Sequence, residues 1–520
     1  MAKQLSYKPL DNIGINGLNT QSNPSTLDSS WLTKADNIVL RESGRISFRK
    51  GLKQKILKTT AKIGAIAENG AGVIVAAVGT NMYTVDFSTP DTPWTGAYAT
   101  GGSASDWQII DFNRELYCVQ AGHTPIELDG TTWTALPSTA GYAAPAGVTT
   151  FNPSCGMGFY GRLWVGGIAE EPDVVYYSDT LNAHKWSSGA AGYIDLKTVW
   201  GTDEVVAIEA FYGKLVIFGK HNIVIYQDPI DPSADSFQLD EVIRGVGLAS
   251  RDSVAAVGDD LIFLSPTGLR SLNRTTQKDK VPLTDLSRNI KDTIIRNISQ
   301  STKVKSVYVE DEGAYVMSFV DLNITYVFDM KHKTPNDSPR ITTWFFETDR
   351  NPSCLAYTEA KGFLIGQQAG SIAGYEGYYD KDYISGGTYT SASYTGSFKT
   401  IWVDLGESVV ASLLKKMKAV ISGGSGTSVG IKWYKDFGVE PSKTSTFLLN
   451  PTASGTTYLY GASTSLFGAA KYAPLYGLKE YNLPLTGSAK YLQIEMTAET
   501  NGYVASLQDM TLLYKKGKIR

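Results

Sequence analysis

One outline recurs along this chain and constrains its fold more than any other feature. In Val205–Tyr226 (VVAIEAFYGKLVIFGKHNIVIY) three short apolar, β-branched runs are separated by reversals at Tyr212-Gly213-Lys214 and Gly219 to Asn222. Upstream copies are IGAIAENG leading to Val73, IIDFNREL reaching Leu116, and GMGFYGRLWVGG reaching Leu163. Downstream copies are SVAAVGDDLIFLSPTGLRSL, SVYVEDEGAYVMSF and CLAYTEAKGFLIG. Aligned on the first apolar residue after the first turn, the units fall at positions 73, 116, 163, 215, 261, 315 and 363. Steps of 43 to 54 residues match the blade period of a β-propeller and exceed that of most solenoids. A three-stranded meander cannot bury both faces alone, so stacking of sister sheets is the expected remedy. About seven blades are predicted, with the rim-closing strand drawn from Arg45 to Gly51 (RISFRKG).

A chain of 520 residues is too long for one ordinary core but suits a propeller plus a second domain. With 51 Gly and 30 Tyr and almost no helical periodicity, the expected class is all-β. The domains are placed at 1–43 (an extended arm), 44–378 (propeller), 379–396 (linker) and 397–520 (β-sandwich). The arm carries apolar anchors at Ile13, Leu18, Leu27, Trp31, Leu32 and Ile38. The last segment alternates in VGIKWYK and YLQIEM, as strands with one face on a core and one in water do. Ser88 to Asp106 and Leu136 to Pro153 are polar or small-residue stretches, predicted as surface loops that are either contact surfaces or tolerated insertions. One amphipathic helix is predicted from Thr284, with Leu286, Ile290, Ile294 and Ile298 on its apolar face and Thr284 or Asp285 as its cap. It falls between blades as an insertion, and its Arg288, Lys291 and Arg296 read as a solvated flank.

Charge is nearly balanced, 48 basic against 51 acidic side chains, which argues against a protein whose task is to grip nucleic acid. It is compatible with a wall past which nucleic acid slides. Cys118, Cys155 and Cys354 lack metal-type spacing and are expected as reduced thiols of a chain folded in a cytoplasm. No apolar run approaches membrane-spanning length, and MAKQLSYKPLDNIG has no apolar signal core. A soluble protein without a secretion signal is expected.

Catalytic patterns are missing. His123, His184, His221 and His332 each lie in a turn or loop without an HExxH or HxH partner, and no GxSxG, Walker or dinucleotide fingerprint occurs. Asp380 and Asp382 lack the Gly and Glu of a calcium loop, so a solvated turn is expected there. Ser178 to Trp186 and Leu128 to Trp133 loosely follow the turn of sialidase blades, which is structural even in enzymes. No catalytic, cofactor-binding or metal-binding residue is assigned, no cofactor is expected, and the residues that face nucleic acid are left unassigned. A glycan-binding or glycan-cleaving propeller, its sugar sites lined by the ten Trp and many Tyr, stands as the competing class. A cytoplasmic scaffold propeller is the third.

GLNTQ, ADNIVLRESGRISFRKG, LVIFGKHNIVIYQ with GVGLASRDSVAAVGDDLIFLSPTGLRSL, and SFKTIWVDLG with YLQIEMTAE and MTLLYKK occur in an order that resembles the tail nozzle proteins of short-tailed bacteriophages. These are the tail tubular protein B family, related to packaged-DNA stabilisation proteins. The resemblance spans most of the chain and implies a non-enzymatic homo-hexamer in the virion tail, made in the host cytoplasm. It further implies docking on an adaptor ring below the portal, contact with tail fibres or tailspikes, retention of the packaged genome, and conduction of DNA through a lumen during ejection. The family supplies no catalytic residues. The two long loops depart from its simplest picture and leave open which loops close the channel.

Overall fold

The computed structural model describes residues 5–517, apart from 42–44, 58–60, 88–97, 101–105, 228–236, 274–284, 302, 348–349, 385–387, 407–409, 425, 450–475 and 501. Most of the predicted loop from Ser88 to Asp106 and the proposed cap Thr284 therefore lie outside the described residues. The chain forms two compact units, one of residues 55–325 and 346–374, the other of residues 1–54, 326–345 and 375–520.

The first unit is a β-propeller built from the recurring module. Four successive four-stranded antiparallel sheets span Ile63–Ala99, Gln108–Ala135, Cys155–Asp195 and Val205–Arg244. A three-stranded sheet over Ala255–Ser271 is the fifth blade, and Pro352–Thr358, Gly362–Gln367 and Ser371–Tyr375 form the last. Between them the hairpin Val304–Val309/Ala314–Phe319 packs its first strand against Pro352–Thr358. The innermost strand of the last blade packs on that of the first, Ile63–Glu68, which closes the ring.

The meander around Val205 has the expected three strands, Val205–Phe211, Lys214–Gly219 and Asn222–Gln227, plus a fourth, Gln238–Arg244. The fourth escapes the hydrophobic pattern because it is an outer strand, half-exposed along its length. Tyr212 (φ 49°) and Gly213 (φ 71°) form the first turn, as do Tyr160 (φ 56°) and Gly161 (φ 61°) in the preceding blade. A two-residue hairpin whose twist suits the strands needs left-handed backbone at both central positions, which Gly adopts freely and Tyr tolerates at a cost. Side chains of these turns link the blades: the Tyr160 hydroxyl donates to Gly213 O (3.3 Å) and the Tyr212 hydroxyl to Asp259 O (3.3 Å). Gly70 N donates to Asp111 Oδ2 (3.0 Å), and Glu359 N donates to Glu68 Oε2 (2.7 Å) across the closure.

Three expectations change within this unit. The strand beside Ser371–Tyr375 is Leu52–Leu57, not Arg45 to Gly51. Ile46–Phe48 instead pairs with Ile38–Leu40 and Ser506–Lys515, because all three of its side chains are buried in the other unit. The stretch from Leu136 to Pro153 is not merely a surface loop: Leu136 and Phe151 are buried in the core of the second and third blades, with Phe151 4.9 Å from the Trp186 ring. The helix is Lys291–Gln300, preceded by the 3-10 turn Arg288–Ile290, with Leu286, Ile290 and Ile294 buried as expected and Ile298 half-buried. Asp285 accepts from Ser287 N (2.9 Å) ahead of the 3-10 turn and caps neither that turn nor the α-helix, which begins later than predicted.

The second unit contains two sheets. One runs Ile38–Leu40, Ile46–Phe48, Ser506–Lys515, Ser412–Gly424, Tyr476–Pro484, with Ser6–Pro9 added to Ser506–Lys515. The other runs Ile324–Lys333, Pro339–Trp344, Gly17–Leu18, Trp31–Asp36, Tyr394–Thr400, Tyr491–Thr500, Ser428–Lys435, Lys443–Leu448. Within the predicted arm, Ser6–Pro9, Gly17–Leu18, Trp31–Asp36 and Ile38–Leu40 are thus strands of this unit's own sheets. Of the predicted anchors, Ile13, Leu18, Trp31, Leu32 and Ile38 are core, and Leu27 is only half-buried. The predicted linker 379–396 contains paired strands, Asp380–Ile384 against Thr388–Ala392. The alternating strands are covered on both faces near their middles. Opposite the apolar core, Tyr434 donates to Glu495 (2.6 Å), Glu495 binds Lys34 (3.2 Å), and the Lys399 ammonium lies 3.6 Å from the Tyr434 ring centre.

A buried polar centre locks this unit. Arg49, wholly buried, makes a two-point contact with Asp380 (3.3 and 3.1 Å) and stacks 4.0 Å from the Tyr394 ring centre. Arg49 Nε also donates to Asn37 Oδ1 (3.1 Å), and Asn37 (φ 54°) donates to Thr395 O (2.8 Å). Burial opposes the guanidinium charge, but Asp380 and the surrounding groups outweigh it and raise the Arg49 pKa. Asp380 is therefore neither a calcium ligand nor a solvated turn residue.

Candidate functional site

The centre of the propeller is the most chemically distinctive place in the first unit. Several inner strands bring entry residues together here: Asp106 before the second blade, Ser154 before the third, Arg251 and Asp252 before the fifth, and Lys305 on the hairpin strand Val304–Val309. A single 3-10 turn, Arg251–Ser253, carries the guanidinium and a carboxylate there. The Ser253 hydroxyl holds the turn by donating to Ser250 O (2.6 Å), and the Tyr315 hydroxyl donates to Ser253 O (2.7 Å).

The four charges form a neutral network, two cations against two carboxylates. Arg251 grips Asp252 through Nε and an amino group (both 2.9 Å) and donates to Ser154 O (2.7 Å) and Asp106 O (3.0 Å). Lys305 bridges Asp106 (2.7 Å) and Asp252 (2.6 Å). Burial would raise the Asp252 carboxyl, but the charges of Arg251 and Lys305 win and hold it well below the usual carboxylate range. Lys305, also buried, is raised because Asp252 and Asp106 outweigh its desolvation. Residues up to 199 positions apart in sequence are tied at one point.

Cavities lie on either side of this network. At the strand-start end a cavity of about 700 Å³ is walled by residues including Gln120, Lys220, His221 and Lys303. Deeper along the axis a smaller one of about 220 Å³ is bounded by Trp107, Gln108, Glu209, Ser306 and Cys354 beside the network. At the far end Glu68, Asp111 and Glu359 line a third, of about 440 Å³. Glu209 is the exceptional carboxyl: burial, then the Asp252 charge, push it up to about 7.

The histidines are not brought together. The His123 ring packs 5.6 Å from Trp107, His184 contacts the buried Glu127 (2.9 Å), and His332 contacts Asp329 (3.1 Å). His221 is at the cavity mouth. Burial raises the Glu127 pKa against the opposing pull of His184. In the sialidase-like turn Asp179 accepts from Ala190 N and Thr180 N (2.9 Å each), which with nearby cations lowers its pKa against burial, while Ser178 and Trp186 are buried. That turn is a structural clasp. Cys118, Cys155 and Cys354 are free and buried, and burial pushes the Cys155 and Cys354 thiols up to about 12. Among the described residues no three His, Cys, Asp or Glu side chains are grouped to hold a metal, and no helix is long and apolar enough to cross a membrane.

The axial network was not foreseen. Asp106, Arg251, Asp252 and Lys305 follow no motif, and only their shared place within a few residues of the start of an inner strand could have marked them.

No protein-family profile matches the sequence, and no characterised protein sequence matches it significantly. Among solved structures, similarity extends to the extracellular domain of a B. thetaiotaomicron protein described as a hybrid two-component system. There the TM-score is 0.41 and identity 10%, over 64% of this chain and 41% of that one. The Neurospora crassa Pan2 WD40 domain gives a TM-score of 0.39 and 7% identity over 63% of this chain and 96% of that one. PorZ of Porphyromonas gingivalis gives 0.35 and 12% over 69% and 44%. The chain therefore spans about two fifths of the first of these proteins. The propeller assignment rests on the strand pairing itself.

Proposed function

We propose that this chain is a structural virion protein, a protomer of the hexameric nozzle of a short phage tail, acting as a passive wall and not as a catalyst. In this reading the hairpin Val304–Val309/Ala314–Phe319 counts as a seventh blade, and the second unit's two sheets pack as a β-sandwich. The nozzle docks on an adaptor ring, bears fibres or tailspikes, retains the packaged genome and conducts DNA through a lumen between protomers without reading its sequence. The protein resides in the virion tail after synthesis in the host cytoplasm.

The observation that carries the reading is the propeller centre. Glycoside hydrolysis needs two carboxyl groups, one able to give a proton and one free to act as base or nucleophile. Here Asp106 and Asp252 are both bound by cations, and Asp252 is held ionised. Glu209, pushed up to about 7 on the same cavity, could give a proton, but the carboxylate it faces is Asp252, already bound by Arg251 and Lys305, so no free base is paired with it. Turn-to-turn hydrogen bonds between successive blades and across the closure add stiffness, which suits a wall under pressure from packed DNA. The ordered sequence resemblance supplies the identity of the assembly.

Sedimentation of the purified chain, alone and with its adaptor ring, tests the proposal: a ring of six is expected. Cryo-EM of intact virions should place the chain distally in the tail. A monomer that shortens host surface polysaccharide would overturn the reading in favour of a glycan-cleaving propeller.

A further inference from the structure

The propeller carries an exposed apolar ridge at the end opposite the strand-start cavity, across the first turns of the third and fourth blades. Leu181 N donates to Gly161 O (2.6 Å), the Tyr160 hydroxyl reaches Gly213 in the next blade's turn, and the Tyr212 hydroxyl reaches Asp259 in the turn after that. Leu181 is 62% and Tyr212 65% exposed, and Tyr160 is half-exposed. Leu181 (φ 52°), Tyr160 and Tyr212 all hold left-handed backbone, where Gly or Asn would sit more easily, and such strain is retained where the side chain is used. Further round the ring the rim turns acidic, with Asp259 and Glu310 exposed in the next two first turns.

The second unit has an open sheet face of opposite charge. In the sheet of Ser6–Pro9, Ser506–Lys515 and Ser412–Gly424, Tyr7 is opposite Leu513 and Leu513 opposite Lys416, so the three share one face. Lys515, two residues on from Leu513 and opposite Leu413, joins them. The other face is core, with Leu414, Met417, Leu512 and Tyr514 buried. On the open face Tyr7 is 76% and Leu413 43% exposed, Lys416 is exposed, and Leu513 and Lys515 are half-exposed. Further along this face Lys418 is taken by Glu480 (3.0 Å). The solvent side of an antiparallel sheet is ordinarily polar, and adjoining exposed apolar side chains with a charged rim mark an interaction surface.

We propose that the acid-rimmed ridge of one chain docks head to tail on the lysine-rimmed sheet face of a second copy. Apolar side chains supply the buried area, and Asp259 and Glu310 facing Lys416 and Lys515 set the register. A contact between two different surfaces propagates, closing as a ring or running on as a filament. It rests on the nozzle reading only for the number of copies in the ring. The contact joins two chains and asks nothing of how the two units are set within one.

Charge reversal tests this by sedimentation of the full chain over a concentration series. Asp259→Lys/Glu310→Lys and Lys416→Glu/Lys515→Glu should each weaken self-association at least about tenfold, since like charges then face each other. Mixed in equal amounts the two reversed chains should associate again, because each ridge then meets a sheet face of opposite sign. All four positions are at least partly exposed, so both chains should fold, which circular dichroism would verify. With a bis-maleimide, Tyr212→Cys and Tyr7→Cys chains should cross-link to each other and neither to itself, the three native cysteines being buried. Reversed chains that associate as tightly as the wild type, a mixture no better than its components, or Tyr212→Cys linking to itself would overturn the contact; a ring of six surviving both reversals would do so while leaving the nozzle reading in place. A wild type that stays single at every concentration would also overturn it, and the nozzle reading falls with it only if that chain fails to assemble on its adaptor ring.

Discussion

Replacing Glu209 with Gln isolates one buried charge, and its effect should reverse the usual expectation that mutation destabilises. Glu209 is on the innermost strand of the fourth blade, Val205–Phe211. It faces the small axial cavity, with Asp252, Arg251 and Lys305 on the adjoining wall. Burial first and Asp252 second raise its pKa from 4.5 to about 7. In the unfolded chain the same carboxyl ionises near its ordinary value. Between those two pH values the folded protein binds the extra proton, so unfolding free energy falls as pH rises and levels off above neutrality. At 1.36 kcal/mol per decade the ionised carboxylate costs about 3 kcal/mol, reduced to roughly 2 kcal/mol by water in the cavity and by partial exposure of the side chain. Gln keeps the shape and never ionises. Glu209→Gln should therefore stabilise the propeller by roughly 2 kcal/mol at pH 8 and by almost nothing at pH 4.5. Scanning calorimetry of both proteins at the two pH values measures this directly. An equal shift at both, or destabilisation at pH 8, would refute the reasoning.

Asp252→Asn leaves Asp106 as the one carboxylate for both Arg251 and Lys305 and should cost on the order of 3 kcal/mol in chemical denaturation. Because the Asp252 pKa is depressed in the folded state, its contribution is present above the unfolded value near 4 and is lost as pH falls below it. The wild type should accordingly lose stability in acid more steeply than Asp252→Asn. In the second unit, Asp380→Asn leaves the Arg49 charge buried and poorly paired, for an expected loss of about 3–5 kcal/mol. Arg49→Met combined with Asp380→Leu should cost far less than the sum of the two single losses, as a double-mutant cycle would read. Gly213→Val should lower the thermal midpoint of the propeller, because a β-branched residue is strained at φ 71°. Gly213→Asn should be nearly neutral.

Repetition was what the sequence could display. Each blade needs the same apolar strand, turn and strand, so Leu215, Leu261 and Phe363 recur at corresponding places and are all buried. The helix face of Leu286, Ile290 and Ile294 was visible for the same reason, since burial imposes a local period. Outer strands such as Gln238–Arg244 left no such trace because solvent accepts their side chains. Membership of the two units was decided only in three dimensions. Trp31 and Leu32 join strands hundreds of positions later, and nothing near them in the chain specifies those partners. Arg49 in RISFRKG looked like rim material until Asp380, 331 positions away, claimed its charge. The axial network of Asp106, Arg251, Asp252 and Lys305 is the extreme case. Local sequence sets which residues stand at the start of each inner strand, but only closure of the ring brings their charges within bonding distance, and Coulomb attraction at a few ångströms has no signature at a hundred residues of separation.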